Sequence, residues 1–122
     1  KELNAIDIGL SNINAVTNLP NLEILRISRN PINNIASITT LKKLRILEIE
    51  NTAIEDLEAL ETLALLEELR ASGTQIKSVN SLSGLYKLNI ALLQHKTQRQ
   101  KSGKLQRKRS RLRSTALLIF FS

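Results

Sequence analysis

Cysteine, methionine and tryptophan are absent from this chain, and only two phenylalanines, one tyrosine and one histidine occur. Without cysteine there is no disulfide framework and no thiolate metal site, a composition that leans to a reducing compartment, cytoplasmic or nuclear. His95 stands alone, with no second histidine or cysteine to share a metal. A glycine-rich phosphate loop is also missing, so no cofactor is expected. The longest apolar run, over 116–121, falls far short of the roughly 20 residues a spanning helix needs. With no methionine, and a pattern already under way at Lys1, a piece of a longer chain is expected, because an amino-terminal capping unit should precede the first repeat.

Acidic residues also run out partway along. Residues 1–93 hold 9 Lys+Arg and 11 Asp+Glu, a balance of −2, whereas 94–122 hold 9 Lys+Arg and no acid, a balance of +9. The two sum to the net +7 of the whole chain. So abrupt a shift marks a boundary, with one unit over 1–93 and a basic, disordered tail over 94–122.

What the chain does have is a period. Leu19, Leu22, Leu25, Ile27, Asn30, Ile32 and Ile35 recur 22 residues later as Leu41, Leu44, Leu47, Ile49, Thr52, Ile54 and Leu57. A further 22 residues on stand Leu63, Leu66, Leu69, Ala71, Thr74, Ile76 and Val79. Units 19–40, 41–62 and 63–84 are therefore complete, and every apolar template position in them is filled. A fixed period of this length signals a repeat architecture. In Leu25-x-Ile27, residues two apart share a face, which is strand alternation. Beyond Asn30 the apolar spacing suits a 3₁₀ or helical return, with 55–69 expected to be the most α-like for its helix formers. No unit can bury its apolar edge alone, so stacking must make the core.

This spacing resembles the leucine-rich repeat family, and the uniform 22-residue unit is similar to the protein-phosphatase-regulatory and internalin-like classes. The resemblance covers about residues 3–93. It implies an α/β solenoid with a concave parallel sheet and 3₁₀ or short-helix convex returns. It also implies non-enzymatic protein binding on the concave face, in a regulatory or scaffolding role. The family's asparagine position is read as Ser11, Asn30, Thr52, Thr74 and Lys96. Serine and threonine can bond the turn backbone less completely than asparagine, and lysine has no acceptor.

The first unit reads as shortened, with Ile6 matched to Leu25 at 19 residues and a strand over 5–8. The fifth begins with Leu85, Leu88, Ala91 and Leu93, but its next template places fall on Gln98, Lys101 and Lys104. Two readings of the tail stand side by side: a genuine basic extension, or a reading frame lost near Leu93. An open carboxy-terminal strand edge would invite self-association.

Alternation places three columns on the concave side. One runs Asp7, Arg26, Glu48, Arg70, Leu92, with alternating charge; the next runs Ala5, Ile24, Ile46, Glu68, Ile90; the last runs Gly9, Ser28, Glu50, Ser72, Gln94, with small residues that leave room for a partner. Charged pairs keep an exposed sheet soluble, while an apolar patch with a charged rim marks an interface. The protein-binding candidates are accordingly Ile24, Arg26, Ile46, Glu48, Glu68 and Arg70, with Arg29 and Asn51 at the rim. Glu48 and Glu50 share a face, but no aromatic cleft accompanies them as sugar hydrolysis would require. In the tail, Arg107, Lys108, Arg109, Arg111 and Arg113 form a basic run suited to nucleic acid, nuclear import or an anionic membrane.

Overall fold

A computed structural model describes residues 1–94, 105–106 and 117–120, with side chains through residue 89. The repeat period appears directly as strand register. β1 (Glu2–Asn4), β2 (Ile24–Arg26), β3 (Ile46–Glu48), β4 (Glu68–Arg70) and β5 (Ile90–Gln94) pair parallel in chain order. Leu3 lies against Leu25, Leu25 against Leu47, and Leu47 against Leu69. Each step is one 22-residue unit, so residues of the same template position stack on one another.

Between strands the chain returns through 3₁₀ turns at Asn14–Asn18, Ala36–Thr40, Glu58–Leu60 and Asn80–Leu82. The α-like return expected over 55–69 is instead a three-residue 3₁₀ turn. The unit is short, and a 3₁₀ turn advances about 2.0 Å per residue against about 1.5 Å in an α-helix. Tight returns therefore span the unit where propensity alone favours an α-helix.

The core is the space between sheet and returns. Leu25, Ile27, Leu41, Leu44, Leu47 and Ile49 are fully buried, and the unit over 63–84 repeats them with Leu63, Leu66, Leu69 and Ala71. A fully buried aliphatic side chain contributes about 1.5–3 kcal/mol, so a unit owes its stability to its neighbours. Leu19 departs from its column at 42% exposure, because no described layer precedes it at that position.

The first unit corrects the sequence reading. Its strand is Glu2–Asn4, not 5–8, and Leu3 rather than Ile6 matches Leu25, so the spacing is 22 here as well. Counting 22 back from Asn30 reaches Ile8, which is 63% exposed, and Ser11 is an ordinary exposed loop residue. Backbone geometry sets this register. Asp7, Arg29, Asn51 and Gly73, spaced by 22, all adopt positive φ, between 53° and 75°. That left-handed corner ends each strand and fixes where the return begins.

Asn30 ties two corners together. Its Oδ1 accepts the N–H groups of Ile8 (3.0 Å) and Leu10 (2.9 Å) in the preceding unit. Its Nδ2 donates to the carbonyls of Ala5, Ile27 and Ser28. Thr52 and Thr74 occupy the same place, but each hydroxyl donates only within its own unit, to Ile49 and Ala71 respectively. The expected ranking of asparagine over threonine thus has a geometric cause.

The sheet does not end at residue 93. A strand at Leu117–Phe120 (β7) pairs parallel with β5, and a strand at Leu105–Gln106 (β6) pairs antiparallel with β7. The β5 edge, expected to be open, is therefore covered, which removes the stated reason for self-association. Otherwise, the disorder expected over 94–122 falls on residues outside those described.

Candidate functional site

The outward residues of the strands form the concave face, and strand pairing sorts them into rows. Ile24 and Ile46 sit side by side in register and are half-buried. Glu2 and Glu68 bracket them in the same row. The row was expected to begin at Ala5; the shifted first strand puts Glu2 there and Asn4, not Asp7, beside Arg26.

In the next row Arg26 donates from Nε to Glu48 Oε2 at 3.1 Å and also pairs with Glu2. The hydrogen bond to Glu48 is the main reason the Arg26 guanidinium is pushed further above its ordinary range, with partial desolvation opposing it. Arg70 lies opposite Glu48 in register but turns along its own strand to Glu68. The expected Arg26–Glu48–Arg70 ladder is thus formed on one side only.

A third row was missed by the sequence reading. Just ahead of the strands, Arg45 reaches Glu23 through Nη1 and Glu67 through Nε, both at 3.3 Å. The bond to Glu67 leads the upward push on its guanidinium. Residues 23, 45 and 67 share the 22-residue spacing and alternate in charge. That signal was legible, but strand alternation alone does not carry the concave face back to the residue before each strand.

A fourth row holds Ser28 and Glu50. The Ser28 hydroxyl accepts the Glu50 N–H at 3.0 Å, while the Glu50 carboxylate has no ion pair among the described residues. Counting the row just ahead of the strands and leaving aside Arg29 at the rim, six glutamates thus meet three arginines in the described rows. Each arginine is already held by at least one carboxylate. At the strand ends Arg29 and Asn51 border a shallow cleft with Gln75.

Glu48 is tied to Arg26, and no cluster of metal-binding side chains occurs among the described residues. No helix among them is long and apolar enough to cross a membrane. His95, Lys96 and the basic residues Arg107, Lys108, Arg109, Arg111 and Arg113 lie outside the described residues.

Parallel strands at a 22-residue step, 3₁₀ returns and a buried asparagine corner agree with comparison to known proteins. Residues 20–62 match the family model described as leucine rich repeats in two copies. The chain carries leucine-rich repeats. Among solved structures it resembles internalin C2 of Listeria monocytogenes, with TM-score 0.73 and 24% identity over 93% of this chain and 48% of that one. It also resembles internalin F of the same organism, with TM-score 0.65 and 30% identity over 70% of this chain and 25% of that one. This leucine-rich repeat chain therefore spans about half the length of internalin C2 and a quarter of that of internalin F. No curated protein matches it. Leucine-rich repeat modules in general serve protein–protein interaction, and the concave rows are where this one offers side chains free of the core.

Proposed function

We propose that this module is a non-enzymatic, regulatory or scaffolding element that binds a protein partner on its concave face. One observation carries the reading: Ile24 and Ile46 stand in register, half-buried, on the side of the sheet that faces away from the core. An apolar pair within a charged surround has the anatomy of an interface centre with a polar rim. Glu68 stands beside Ile46 in register, Arg26, Glu48 and Arg70 hold the next row, and these charges set the partner's orientation.

Capture of partners by the full chain, compared with Ile46→Arg, tests this. The new guanidinium would face Glu68 across the strand pair, so the fold should be kept. Capture should fall at least about tenfold, the mark of losing a central anchor. Equal capture by the variant, with an unchanged melting temperature, would refute the reading.

A second reading rests on charge. Residues 94–122 carry 9 Lys+Arg and no acid, which suits contact with a polyanion such as nucleic acid or an anionic membrane. Duplex DNA binding should then weaken steeply with salt, and be lost when Arg107, Lys108, Arg109, Arg111 and Arg113 are changed to glutamine.

A further inference from the structure

We infer that the partner of the concave face is a basic polypeptide segment carrying an aliphatic side chain; this rests on the concave-face reading above. The argument is charge complementarity on an unpartnered sheet face. Arg26 is shared between Glu2 and Glu48, Arg45 between Glu23 and Glu67, and Arg70 is turned onto Glu68. The three arginines of the rows are thus already engaged within the sheet, and only Arg29 at the rim is not. The surplus is carboxylate, with the Glu50 side chain free of any ion pair among the described residues.

An acidic partner would meet this surplus with only Arg29, at the rim and outside the ion pairs of the described residues, to offset it, and like charges brought together across an interface are penalised. A basic partner gains at every carboxylate whose second oxygen still faces solvent. The centre selects further. Ile24 and Ile46 are aliphatic, and no aromatic side chain lies in the described concave rows. The matching anchor is accordingly leucine, isoleucine or valine, flanked by lysine or arginine.

The test titrates the full chain with two short fluorescent peptides that share a central leucine pair, one rich in lysine and the other in glutamate. The lysine peptide should bind at least about tenfold tighter, and its association should slow as salt rises. Glu50→Lys should weaken it and Ile46→Arg should abolish it. Peptides of both signs that bind alike, and are both lost in Ile46→Arg, would overturn the basic partner while leaving the concave-face reading intact. Lysine-peptide binding that neither variant alters would overturn both. Failure of the lysine peptide to bind would overturn the inference. So would binding that appears only after glutamine replaces the five basic residues of 107–113, since the chain's own tail would then be the occupant.

Discussion

The Asn30 side chain reaches back 22 residues to take the N–H of Ile8 at 3.0 Å. That contact, with its partner at Leu10, closes the corner of one unit with a side chain from the next. Asn30→Ala would leave two N–H groups and the carbonyls of Ala5 and Ile27 without this partner. A loss of about 2–4 kcal/mol is expected, read as a lower urea midpoint at unchanged slope. The reverse change, Thr52→Asn, should extend the ladder towards the Asn30 corner and add about 0.5–1.5 kcal/mol. A Thr52→Asn chain less stable than wild type would show that the threonine hydroxyl already satisfies its corner.

Arg29 and Gly73 at the left-handed corner contrast with Gly84, which lies outside it. A Cβ on Gly73 would lie 2.3 Å from Asn51 Oδ1, at a φ of +75°. The Asn51 amide can swing aside, but the backbone cost of about 1–2 kcal/mol remains, so Gly73→Ala should lower the melting temperature. Arg29 already stands in that conformation, at φ 59°, and Arg29→Gly should gain a few tenths of a kcal/mol or more, because the strain removed exceeds the entropy glycine adds. Gly84 has ordinary φ and open space around its Cβ position, and Gly84→Ala should be neutral or slightly stabilising. Thermal melts of the three variants check the order.

The ion pairs should show themselves through pH. Arg26 has its pKa raised, chiefly by the hydrogen bond with Glu48, so as the pH rises from neutral its pairing persists up to the ordinary guanidinium value and is lost only above it. Stability from this pair should therefore hold steady from neutral into alkaline solution. Arg26→Lys brings in a group that titrates at about 10.4 in model peptides, and the same partners would raise it in the folded chain. The variant's pairing should be intact at neutral pH and fade as the pH climbs through that region, while wild type does not change. Melting curves of the two proteins that stay parallel across that range would count against a stabilising role for the pair.

Core truncations should follow stacking rather than residue type. Leu47 is fully buried between Leu25 and Leu69, and Leu47→Ala should cost about 2–5 kcal/mol. Leu19 holds a template position yet is 42% exposed, and Leu19→Ala should cost clearly less. Chemical denaturation of both variants compares the two; equal losses would mean that Leu19 is better covered than its exposure indicates.

The repeat period alone determined the parallel solenoid, the central core and the outward direction of Ile24, Arg26, Ile46, Glu48, Glu68 and Arg70. These follow from local alternation and from a 22-residue step that each unit can express only by stacking on its neighbour. Tertiary structure decided the rest. The first strand lies at Glu2–Asn4 because the left-handed corner at Asp7, not the apolar pair Ile6 and Ile8, sets its register. Arg70 turns to Glu68 although Glu48 lies opposite it, and Arg45 joins two glutamates that strand alternation does not assign to the face. Long side chains choose among several carboxylates within reach, and those distances exist only once the strands are laid side by side. β7 covers the edge of β5 for a related reason. Ala91 pairs with Leu117 and Gln94 with Phe120, off the 22-residue step, so this pairing depends on the open edge itself rather than on the repeat.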